Sequence, residues 1–108
     1  MKSVEEVKEE LKELNCKVAE YYGYEAQSNQ LIEECAELIQ AINKFRRARG
    51  LGQATPADLM AAKDNLIEEI ADVEVMLEQI KYLLHIPEID ILAVRKNKMS
   101  RTLERMSK

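Results

Sequence analysis

Tryptophan is absent from this chain, phenylalanine and histidine occur once each, and there are three glycines, two prolines and two cysteines. So few turn-forming and aromatic residues argue against a turn-rich β architecture, and no alternating strand pattern or internal repeat is visible. Two cysteines cannot staple a small secreted scaffold. With no secretory signal and no apolar run of about 18 residues, Cys16 and Cys35 are expected to be free thiols in a reducing cytoplasm, and no membrane partner is expected. The lone histidine, His85, stands just before Pro87 at the end of a helical pattern, where a structural role is expected. One imidazole cannot supply the paired Glu-x-x-His motifs of a di-iron bundle.

What remains is rich in Glu, Lys, Leu, Ile and Ala, 46% hydrophobic and 33% charged. That is the profile of an all-α protein, too apolar for disorder. Residues 1–108 are expected to form a single domain. The net charge of −4 is unevenly spread: residues 1–40 carry four Lys against ten Glu, whereas Arg95 to Lys108 holds six basic residues and one acid. An acidic body makes nucleic acid an unlikely partner, and the basic tail suits either an anion or a solvated helix face.

Helix signals divide the chain into four segments. Ser3 with Glu6 opens the first as a capping box, with Val7, Leu11, Leu14 and Val18 as its expected core residues. Gly23 interrupts it, and a second helix is predicted from Glu25 to Arg49, stopped by Gly50 and Gly52. In "TPAD", Thr55 is the N-cap, Pro56 the first helical residue and Asp58 the capping acid of a third helix reaching Leu84. Pro87 opens a fourth, Glu88 to Met106. Four helices with short links predict a bundle-like fold, and a chain this short is expected to complete its core by forming a homodimer or homotetramer.

Two of these helices carry acids where apolar residues belong. At about 100° per residue, Leu31, Cys35, Leu38, Ile42 and Phe45 line one face of the second helix, yet Glu34 projects between Ala41 and Phe45, with Glu37 at the edge. The third repeats the arrangement. Leu66, Ile70, Val73, Leu77, Ile80 and Leu84 form the stripe, Glu69 falls between Met76 and Ile80, and Asp72 lies at the border. Glu33 and Glu68, the first acids of each doublet, point outward. An isolated carboxylate in an apolar setting is costly, and several together repel. A hard divalent cation held by oxygen ligands resolves the conflict, Mg²⁺ first and Mn²⁺ second. Salt bridges at a helical interface would also resolve it, so a non-enzymatic interaction module with an acidic interface and a basic tail is the competing reading.

"EECAE" followed by "EEIAD" resembles the E-E-x-x-E and E-x-x-D signature of the MazG-like, all-α nucleoside triphosphate pyrophosphohydrolases, over roughly Gln27 to Arg101. The resemblance implies a Mg²⁺-dependent enzyme that cleaves an NTP or dNTP to the monophosphate and pyrophosphate, with Glu34, Glu37, Glu69 and Asp72 as the catalytic metal ligands. It implies also that Lys98 and Arg101, on one face of the last helix, contact phosphates. Asn97 beside them is a candidate for sugar or phosphate. Gln27 and Gln30, on the same side of the helix as Glu34, and the rings of "YYGY" are candidates for the base. The stretch between the two motifs is longer than usual because of "GLGQATPAD".

Overall fold

The computed structural model describes residues 1–50 and 54–108. Every regular element among them is helical: α1 is Val4–Gly50, α2 is Pro56–Leu83 and α3 is Glu88–Met106. The expected start signals operate. Ser3 Oγ accepts from the Glu6 amide at 3.1 Å. Thr55 and Asp58 exchange the two bonds of a capping box, Asp58 N to Thr55 Oγ1 at 3.1 Å and Thr55 N to Asp58 Oδ2 at 3.0 Å. The Thr55 amide first, and then the Thr55 hydroxyl, hold the Asp58 carboxyl below its ordinary range. Helix α1 ends at Gly50, and the expected contribution of Gly52 lies outside the described residues.

α2 closes on Leu84 and His85. The Ile86 amide reaches back to Lys81 O and the His85 amide to Tyr82 O, at 2.9 and 3.2 Å. This paired closure requires a left-handed residue, and His85 supplies it with φ 55. The lone histidine therefore has the structural place expected of it.

The two helices expected on either side of Gly23 form one element, so there are three helices rather than four. Gly23 is the one non-helical residue inside α1, at φ 84 and ψ 171. A straight helix of 47 residues would span roughly 70 Å, yet the longest axis of the molecule is 46 Å. α1 therefore bends sharply at Gly23 into two arms, 4–22 and 24–50. Contacts with α2 give their directions. Asn15 meets Val75 and Gln79 while Glu20 meets Tyr82, so the first arm runs in the same sense as α2. Beyond Gly23 the order inverts: Gln27 meets Gln79 and Glu34 meets Asp72.

Only glycine occupies the Gly23 region of φ/ψ without strain. No neighbouring atom crowds the position a Cβ would take, so Gly23→Ala isolates the backbone term. It is expected to lower stability by about 1–3 kcal/mol, read as a drop in the midpoint of denaturant unfolding. An unchanged midpoint would mean that the reversal does not depend on this conformation.

α1 and α2 pack on each other, whereas the α3 backbone packs on neither. Two small residues, Ala19 and Ala41, are the most buried apolar ones, with Val73 and Met76 completing the buried apolar set among the described residues. Sequence periodicity misassigned much of the rest. Val7, Leu11, Leu14 and Val18 are exposed, Leu14 at 56%, and so are Ile42, Ile70, Leu77 and Leu84. The wheel identifies an apolar face without identifying what covers it, and among the described residues of one chain nothing covers these. A compact monomer of this mass would expose roughly 6,100 Å², and this chain exposes 8905 Å².

Candidate metal centre

Because arm 24–50 and α2 are antiparallel, the two acidic motifs face each other. From Glu34 to Glu37 and from Asp72 back to Glu69 is one helical turn in each helix, so both pairs meet. Glu34 lies beside Asp72 and Glu37 beside Glu69, close enough that Glu34 raises the cost of ionising Asp72 and Glu37 that of Glu69. Glu34, Glu37 and Glu69 each bring one carboxylate oxygen to within 4.8 Å of the other two. Asp72 stands against Glu34 at the flank of this triad. Glu34, Glu69 and Asp72 are half-buried, whereas Glu37 opens to solvent.

The charges are not balanced by the chain. None of the ion pairs among the described residues includes any of the four acids. Glu34 Oε1 accepts from Gln30 Nε2 at 2.7 Å, but Glu34 Oε2 and Glu69 Oε2 are buried with no hydrogen-bond partner. Orphaned carboxylate oxygens of this kind are uncommon in folded proteins and call for an explanation. Burial first, then the charges of Glu37, Asp72 and Glu34, push the Glu69 carboxyl above its ordinary range. Burial and then Glu34 push Asp72 up as well. An all-oxygen donor set, crowded with like charge and carrying two unpartnered oxygens, fits a hard divalent cation.

The sign of these shifts makes a prediction. A carboxyl raised in the folded state contributes stability that is complete below its unfolded pKa and lost as pH rises through the folded value. Without metal, Glu69→Gln should therefore melt above the unsubstituted chain at neutral pH, and the gap should close as pH falls into the carboxylate range. Thermal melts across that range check it. A gap of constant size would show that the substitution acts through packing instead.

The other predicted site residues are more dispersed. Gln30 is half-buried against Glu34. Gln27 is buried and donates through Nε2 to Gln79 Oε1 at 2.7 Å. Tyr21 and Tyr22 are exposed beside the bend, their rings edge to face with centroids 4.8 Å apart. Asn97, Lys98 and Arg101 are exposed on α3, on a helix that does not pack against the acids of its own chain. Glu33 and Glu68 are exposed, as their wheel positions predict. Both cysteines are free and half-buried.

Sequence reasoning passed over Asn15 and Gln79. Gln79 is 2% exposed and uses both ends of its amide: Oε1 accepts from Gln27, and Nε2 donates to Asn15 Oδ1 at 2.6 Å. Asn15 Nδ2 in turn donates to Val75 O at 3.1 Å. A signal was available, because Gln27 precedes Glu34 by seven residues and Gln79 follows Asp72 by seven, placing each glutamine on the same row of its helix as an acid.

No described helix is long and apolar enough to cross a membrane. A comparison with curated proteins and with solved structures finds no match. Among protein families, the one described as the MazG nucleotide pyrophosphohydrolase domain matches residues 22–103, from the bend at Gly23 through both acidic motifs and most of α3.

Proposed function

Since the chain belongs to the MazG nucleotide pyrophosphohydrolase domain family, we propose that it hydrolyses a nucleoside triphosphate, NTP or dNTP, to the monophosphate and pyrophosphate. The observation that carries this is the convergence of Glu34, Glu37 and Glu69, flanked by Asp72, with buried unpartnered oxygens and no Lys or Arg paired to them among the described residues. Four carboxylates would repel a triphosphate. The proposed ligands of Mg²⁺, with Mn²⁺ as substitute, are Glu34, Glu37, Glu69 and Asp72. When bound, such an ion inverts the local potential, neutralises phosphate oxygens and makes a water acidic enough to attack phosphorus.

The chain's own residues do the rest. Gln30 holds Glu34 in place through their hydrogen bond and is the proposed contact for a nucleotide beside the acids. Gln27, with its Nε2 bonded to Gln79, is the proposed support for the base. Lys98 and Arg101, with Asn97 next to them, clamp the phosphates by charge-assisted hydrogen bonds. Phosphoryl transfer needs mainly such positioning and charge neutralisation.

The same reading includes a homo-oligomer, a dimer at least, built into a helical bundle. The exposed surface exceeds that of a compact monomer by an amount on the scale of one partner's share in an obligate interface. α3 carries an apolar stripe, Ile89, Leu92, Met99, Leu103 and Met106, exposed and with no partner among the described residues of its own chain. Because α3 does not pack against the acids it is meant to serve, the phosphate clamp at each site comes from a second copy.

The deciding experiment is a screen of the common NTPs and dNTPs for pyrophosphate release with Mg²⁺, with EDTA as control. Metal-dependent release of pyrophosphate and the matching monophosphate from at least one nucleotide is the expected result. Release of orthophosphate would overturn the pyrophosphohydrolase reading in favour of another hydrolase, and no turnover with no Mg²⁺-coupled binding of a non-hydrolysable triphosphate would turn the assignment toward the interaction module.

A further inference from the structure

Nothing at the acidic site itself holds its two helices in register. Glu34 faces Asp72 and Glu37 faces Glu69 with like charge, and apolar side chains such as the buried Met76 tolerate sliding at modest cost. A slip of one residue shifts a helix by about 1.5 Å and turns it by about 100°, enough to disperse the carboxylates. Two turns away along both helices is the one buried, directional contact among the described residues that such a slip must break. Gln27 Nε2 donates to Gln79 Oε1, Gln79 Nε2 donates to Asn15 Oδ1, and Asn15 Nδ2 donates to Val75 O. All three side chains are buried, Gln79 almost completely.

The intervals match. Gln27 to Glu34 and Gln79 back to Asp72 are both seven residues, and Glu37 and Glu69 lie three further on in each helix. The Gln27–Gln79 bond and the two acid pairs therefore occupy one register. Asn15 adds the first arm of α1, so the amide chain ties both sides of the Gly23 reversal to α2. Displacing it would leave buried amides unpaired, a penalty specific to the wrong register. Single buried polar residues set register in coiled coils by the same means.

The geometry points to the Asn15–Gln79–Gln27 amide chain as the positioning device of the carboxylate site, setting the register that seats Glu34 against Asp72 and Glu37 against Glu69. The inference rests on the metal-binding reading above. Gln79 and Asn15 touch neither metal nor nucleotide and act through the helices they join.

The test compares Mn²⁺ affinity, measured calorimetrically with the metal alone, against thermal stability without metal. In Asn15→Leu/Gln27→Met/Gln79→Met all three amides give way together to apolar groups of similar size, leaving no buried amide partner behind. Its melting temperature should be unchanged or higher, while Mn²⁺ affinity falls by about tenfold or more. A second variant, Gln27→Leu, frees only arm 24–50 and should lose affinity likewise. Since no nucleotide is present, any contact Gln27 makes with substrate does not enter. Folded variants that bind Mn²⁺ as the unsubstituted chain does would overturn the inference and leave the metal site standing. Variants that fail to fold would also overturn it, because the amides would then hold the fold rather than its register. If the unsubstituted chain binds no Mn²⁺, the metal reading fails, and this inference with it.

Discussion

Glu34→Gln is expected to abolish Mg²⁺ binding and turnover together while leaving the metal-free protein as stable as before or more so. The substitution keeps the side chain's shape and removes one charge from the cluster. Its carboxylate meets Asp72 and stands within 4.8 Å of Glu37 and Glu69, and its Oε2 is buried without a partner. Removing that charge relieves repulsion, so the apo melting temperature should hold or rise. With metal the sign reverses. A neutral amide is a poor substitute for a carboxylate ligand, so Mg²⁺ should raise the melting temperature of the unsubstituted protein and leave that of the variant nearly unchanged. Glu33→Gln is the control. It is exposed and should alter neither property. A salt-bridge role for Glu34 predicts the opposite, since a cation would be left unpaired and the apo variant would melt early. A clearly destabilised Glu34→Gln that still binds Mg²⁺ and turns over nucleotide normally would defeat the ligand assignment.

The acidic site was legible because it contradicts helix periodicity. A carboxylate inside an apolar stripe is a local anomaly, visible from spacing alone, and the same anomaly on two helices implied that they face each other. What could not be read was the cover over the apolar faces. Val7, Leu11, Leu14 and Val18 repeat at core spacing, yet they are exposed, because periodicity reports which face is apolar and a lone chain supplies no surface to meet it. Gly23 was visible as an interruption. That the chain reverses there depends on Asn15 and Gln27 converging on one glutamine, a contact spanning more than fifty residues of sequence. Gln79 itself was hidden by its chemistry: an uncharged polar residue at the border of an apolar stripe reads as surface. Its seven-residue interval from Asp72 was the one signal that could have found it.

The largest restoration of activity is expected from mixing two inactive chains. Lys98→Ala/Arg101→Ala should lose most turnover with little change in melting temperature, because both residues are exposed on a helix that packs on neither α1 nor α2. Glu34→Gln is inactive for want of metal. If the phosphate clamp came from the same chain as the acids, a mixed dimer of these two variants would contain no intact site. If α3 serves the partner's acids, one of its two sites combines native acids with a native clamp, and the other carries both defects. Random pairing at equal amounts makes half the dimers mixed, each with one working site of two, so co-refolded chains should recover about a quarter of full activity in a two-fold assembly. Recovery should require exchange of subunits and vanish when the variants are assayed together without it. The physical ground is that α3's apolar stripe is uncovered and no Lys or Arg of the chain pairs with its own four acids among the described residues. Activity no greater than the sum of the two parents, in a preparation shown by mass spectrometry to contain mixed dimers, would place the clamp and the acids on one chain.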